Sequence, residues 1–142
     1  MTNAEIIISD LQKIIDWYGQ SGSTATIEDL LKWKDKTCVK CWYLAEIAAD
    51  MKNQYNKSRF VKKIHVGRKK MEFIGKGAKV NAAEIEADVS AADLYEDEMS
   101  KEALAYRLDK LYDAAGNIIQ AMQQRISHLK TESKQSMQAQ HQ

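Results

Sequence analysis

Residues 80–132 read VNAAEIEADVSAADLYEDEMSKEALAYRLDKLYDAAGNIIQAMQQRISHLKTE, and their apolar spacing decides the fold. Val80, Ala87, Leu94, Lys101, Leu108, Ala115, Met122 and Leu129 fall on one seven-residue row. A second row holds Glu84, Ala91, Glu98, Ala105, Tyr112, Ile119 and Ile126, and a short third row adds Leu104, Leu111 and Ile118. Rows offset by three and four residues share one face of a helix. A sustained period of seven asks for coiled-coil-like packing on a partner helix. The stripe is weakest at Glu98 and Lys101, where Ser100 has the chemistry of a helix cap. The reading is one continuous helix over 80–132 with a weak point there.

Working outward, the turn before this helix is GKGA at 75–78, where glycine supplies the left-handed backbone angles of a reversal. Before it, a second long helix spans about 27–73, with Leu30, Trp33, Cys38, Cys41, Leu44, Ala45 and Ala48 among its core-type residues. Thr26 with Asp29 marks its start. Within it, 60–74 (FVKKIHVGRKKMEFI) continues the helix or forms a short β-hairpin around Gly67. The helix is the preferred reading. GQSGSTAT at 19–26 is a loop. A first helix over about 3–18, begun by Thr2 or Asn3, carries Ile7, Leu11, Ile14, Ile15 and Tyr18 on one face.

The expected fold is therefore all-α. It is a long antiparallel helical hairpin with a short N-terminal helix packed at one end, in a single domain over 1–132. A reversal near Lys76 opposes positions whose numbers sum to about 153, such as Ala45 with Leu108, Cys41 with Tyr112 and Cys38 with Ala115. A two-helix arm buries little surface, so oligomers are expected. The polar tail 133–142 (SKQSMQAQHQ) has no apolar repeat and is expected to be disordered.

Composition narrows the function. The chain has no proline and a net charge of +1, so long helices are unobstructed and overall charge selects no partner. No apolar run of about 18 residues exists, so no membrane span is expected. The start MTNAEIIISD lacks a signal peptide's basic end and cleavable apolar core. Cys38 and Cys41 form a lone CxxC, short of the four ligands of structural zinc, and read as reduced, buried cytosolic thiols. His65, His128 and His141 share no motif with a nucleophile. Glu84, Glu86, Asp88 and Glu96 to Glu98 match no cation loop, and Gly75-Lys76-Gly77 lacks the rest of a phosphate loop. No catalytic residue, cofactor or metal is expected.

Two groups of side chains remain as contact candidates. A basic run includes Lys57, Arg59, Lys62, Lys63, Arg68, Lys69, Lys70, Lys76 and Lys79, with Phe60, His65 and Phe73 as stacking groups. Lys62, Lys63, Arg68, Lys69, Lys70 and Lys76 are the candidate contacts to nucleic acid or another anion. The competing reading is pairing with the acidic run 84–98 across the hairpin, and it is preferred. The second group is aromatic. Neighbours such as Trp17-Tyr18 and Trp42-Tyr43 cannot both face a core, because successive residues lie about 100° apart. Trp17, Trp33, Tyr43 and Tyr106 are the candidate protein interface.

The segment GKGAKVNAAEIEADVSAADLYEDE (75–98), followed by LYDAAGNIIQAMQQRISHLKTE (111–132), resembles small helical-hairpin proteins encoded by bacteriophages. Their Ile-rich turn leading to QQRISHLKTE is similar to residues 118–132. The resemblance covers the last half of the chain and carries over no catalytic residue. It implies a phage or mobile-element accessory protein, in the bacterial host cytoplasm or the virion, that acts by binding. The expected function is non-enzymatic protein-protein interaction with self-association, in a structural, assembly or host-inhibitor role. The alternative is a nucleic-acid-binding accessory of replication or recombination that uses the basic arm 57–79.

Overall fold

In a computed structural model, residues 2–141 are described, and they form four helices with no strand. These are α1 (Asn3–Ser21), α2 (Ile27–Gly75), α3 (Val80–Ser90) and α4 (Ala92–Gln140). Residues 60–74 are helical throughout, so the β-hairpin alternative is excluded. The caps are local. Thr2 Oγ1 accepts from the Glu5 backbone N–H at 3.2 Å while the Thr2 N–H donates to Glu5 Oε2 at 2.8 Å, a closed capping box. Thr26 Oγ1 accepts from the Asp29 N–H at 3.1 Å and starts α2. At the end of α1, Gly22 donates to the Tyr18 carbonyl at 2.8 Å. A Cβ on Gly22 would come within 2.7 Å of the Tyr18 ring, so only glycine fits.

After α2 the chain reverses on a Schellman motif. Ala78 N–H donates to Phe73 O and Gly77 N–H to Ile74 O, each at 3.0 Å. Gly77 holds φ at +95°, the left-handed angle such a turn needs. The long segment that follows is not one helix. It breaks at Ala91 (φ −99°, ψ 13°), upstream of the weak point expected at Glu98 and Lys101. The cause lies in local bonding: Ser90 Oγ donates back to Ala87 O at 2.7 Å, and Ala91 N–H reaches Asp88 O at 3.1 Å. Tyr95 Oη then ties α4 to Asp88 at 2.9 Å.

The chain divides into two compact units: Met1–Ile47 with Leu108–Gln142, and Ala48–Arg107. The first unit packs α1 and the adjoining parts of α2 and α4 around Ile14, Leu30, Met122 and Ile126. Its antiparallel pairing shows in Lys34 Nζ to Gln123 Oε1 at 2.7 Å, and Arg125 holds the 22–26 loop through Ser23 O at 2.8 Å. Leu44, Leu108 and Ala115 are buried in it as well. Cys38 is exposed, contrary to the buried position expected for it, because Thr37 takes the seam and bonds Trp33 O at 2.7 Å. Ala45 and Tyr112 are exposed too, so the facing pairs expected of them do not form.

The second unit is the hairpin itself. Ser58 bonds Asp97 and His65 lies against Ser90, so opposed positions sum to 155 and not 153. The displacement follows from the left-handed residue being Gly77, which centres the reversal later than Lys76. Among the described residues, the tail expected to be disordered is helical to Gln140, and every side chain from Thr131 to His141 is exposed. Its Gln, Ala, Met and Lys are good helix formers. Gln142 lies outside the described residues.

Candidate functional site

Two surfaces stand out, one in each unit. In the first unit, α1 and α2 leave a groove between them. One hollow of about 660 Å³ is lined by Asp10, Lys13, Ile14, Trp17, Trp33, Asp35, Lys36, Val39 and Lys40. A second, of about 430 Å³, shares Asp10, Val39 and Lys40 and runs on past Ile6, Ile7, Tyr43 and Ile47. Trp17 and Trp33 pack at 5.4 Å between ring centroids, and Lys36 Nζ lies 4.9 Å from the Trp33 ring centroid. Lys40 Nζ bonds Asp10 Oδ2 at 2.8 Å across the groove. That bond, helped by the charges of Lys40 and Lys13, holds the Asp10 carboxyl below its ordinary range.

Three of the four aromatic candidates, Trp17, Trp33 and Tyr43, thus line one groove, while Tyr106 is exposed on α4 in the other unit. Asp10, Val39, Lys40 and Ile6 belong to the groove and were not singled out by the sequence, while Ile7 was expected only on the apolar face of α1. Val39, Tyr43 and Ile47 do recur every four residues, and Ile6 to Ile8 give α1 apolar groups on more than one face. Those two patterns were the available signal.

The second surface is the outside of the hairpin unit. Its seam is small and polar: Ala48, Ser58, Ala83, Ala87 and Ala91 are its buried residues. Lys62 pairs with Glu98 within it, and the Lys62 ammonium sits 4.4 Å from the Tyr95 ring centroid. Asp97 accepts from Ser58 Oγ at 2.8 Å and Lys101 Nζ at 3.0 Å, which hold its carboxyl below the usual range. The large apolar side chains Phe60, Val61, Ile64, Met71, Ile85, Val89 and Met99 are outside instead.

The six candidate anion contacts divide. Lys62 pairs with Glu98, Lys70 with Glu84 at 2.7 Å, and Lys69 and Lys76 with Glu72 at 3.3 and 3.2 Å. Lys69 and Lys76 pull the Glu72 carboxyl down, Lys76 the more. Lys63 and Arg68 are exposed and make no ion pair among the described residues. Among the described residues no three His, Cys, Asp or Glu side chains converge as metal ligands, and no helix is long and apolar enough to cross a membrane. Comparison of the chain with protein-family models, with curated proteins and with solved structures finds no match.

Proposed function

We propose that this protein acts by binding other protein chains, copies of itself among them, and performs no catalysis of its own. This is the mode of the phage accessory proteins that its C-terminal half resembles. The observation that carries the reading is surface area. The chain exposes 10070 Å², against about 7,500 Å² for a compact monomer of its mass. The difference is about three times the roughly 800 Å² that each partner buries in a standard interface.

The α1–α2 groove is the seat for a partner. Its aromatic floor and aliphatic rim suit the apolar face of an amphipathic helix, with Asp10, Lys36 and Lys40 at the edge to orient it. The test is selection of random amphipathic helical peptides from a display library on the wild type and on a Val39→Glu, Tyr43→Glu variant. Enriched peptides should carry anchors at i, i+4 and i+7, bind the wild type and lose the variant. No enrichment, or equal binding to both, would overturn the groove as a docking site.

One observation favours a second reading. Lys57, Arg59, Lys63 and Arg68 face outward on α2 without ion pairs among the described residues. Four phosphate contacts imply DNA affinity that falls with salt at a log-log slope of about 3–4. Anisotropy of labelled random-sequence DNA measures it, and such a slope would favour nucleic-acid binding.

A further inference from the structure

The outside of the hairpin unit carries two apolar edges that differ in charge. On α2, Phe60, Ile64, Gly67 and Met71 recur at i, i+4, i+7 and i+11, on the side away from the Ser58, Lys62 and His65 seam. Phe60 is 62% exposed and Met71 69%. Between Met51 and Met71, α2 contains no acidic residue, and the exposed charges are Lys52, Lys57, Arg59, Lys63 and Arg68. On the other side of the unit, Ile85, Ala92, Met99 and Tyr106 repeat every seven residues, with Val89 beside them. Val89 is 71% exposed and Met99 67%. No Lys or Arg occurs from Val80 to Ser100, and Glu86, Asp93 and Glu96 face outward.

We infer that the basic edge of one copy docks on the acidic edge of the next, so that copies of this chain associate side by side and head to tail. The inference rests on the self-association reading above and names its surfaces. The occupant is a second copy because the two edges complement each other in charge and each exposes large apolar side chains beside those charges, which is how helical surfaces choose partners. A hollow of about 400 Å³ between Phe60, Val61, Ile64, His65 and Arg68 is a socket for an aliphatic knob such as Val89 or Met99. Gly67 leaves open space around its Cα, since a Cβ there would meet nothing within 4 Å. A contact between two different edges is heterologous. It leaves one of each edge free at the ends, so it propagates unless the rotation closes a ring.

This arrangement has a test that a symmetric dimer fails. One variant, Phe60→Glu with Met71→Glu, spoils the basic edge. A second, Val89→Lys with Met99→Lys, spoils the acidic edge. All four side chains are exposed, and circular dichroism should show both variants folded. Sedimentation velocity in low salt should give monomer for each variant alone. Their equimolar mixture should give a one-to-one dimer, because each supplies the edge that the other lacks. Moderate salt should weaken that dimer at least tenfold, since the charges screen over about 10 Å.

Variants that associate as the wild type does, or a mixture that stays monomeric while the wild type associates, would overturn the edge assignment alone. A monomeric wild type would overturn the self-association reading with it.

Discussion

Lys62 and Glu98 meet in the seam of the hairpin unit with side chains 19% and 12% exposed, so neither charge is fully hydrated. Breaking a fully buried pair by removing one partner costs about 3–5 kcal/mol, while an exposed pair is worth about 0–1 kcal/mol. These side chains are mostly covered without being sealed, so Lys62→Ala should cost about 2–3 kcal/mol, between the two limits. It strands the Glu98 carboxylate and removes the ammonium from the Tyr95 ring. Glu98→Ala leaves that ammonium over the ring, on a stem long enough to carry it toward water, and should cost only about 1 kcal/mol. Replacing both, Lys62→Met with Glu98→Leu, removes two desolvated charges and should be neutral or stabilising by up to about 2 kcal/mol. Urea unfolding followed by circular dichroism, at one fixed protein concentration, measures all three. Glu98→Ala proving the more damaging single change, or Lys62→Ala falling within about 0.5 kcal/mol of wild type, would refute the reasoning.

Met122 is fully buried in the first unit, so Met122→Ala should cost about 2–4 kcal/mol and lower Tm by roughly 10 °C. Trp42→Ala, at a side chain 70% exposed, should leave the thermal melt nearly unchanged. The Asp97 carboxyl is depressed in the folded state by Ser58 and then Lys101, so its contribution is present above the ordinary value near 3.9 and is lost as pH falls through the lower folded value. Asp97→Asn should therefore lose stability at neutral pH and flatten the acid limb, read from urea midpoints across the pH series. Burial, and then neighbouring Cys38, push the Cys41 thiol up, whereas Cys38 is exposed. Iodoacetamide should modify one thiol in the folded protein, Cys38 by peptide mapping, and the second only after denaturant is added.

What the sequence made legible was encoded locally. The cap at Thr2, one of two residues offered for it, the cap at Thr26 and most of the seven-residue rows depend on residues within a turn or two and recur in the fold, although Val80, Leu104 and Tyr112 are exposed. The break at Ala91 was not legible, because no glycine or proline marks it. It depends on Ser90 choosing the Ala87 carbonyl and on Tyr95 reaching Asp88. The register slipped because two glycines in the turn can each take the left-handed angle, and only the fold selects Gly77. Thr37 lies in the seam because it falls seven residues from both Leu30 and Leu44, which leaves Cys38, one residue on, exposed. The groove was half legible. Trp17, Trp33 and Tyr43 pointed to it through their aromatic excess, while Asp10, Val39 and Lys40 look like ordinary helix surface until α1 is laid against α2.

Light-scattering mass, followed across protein concentration in low salt, tests the claim of self-association most directly. Self-association requires a mass above the 16.2 kDa of one chain that rises with concentration. A mass of 16.2 kDa at every concentration would contradict it.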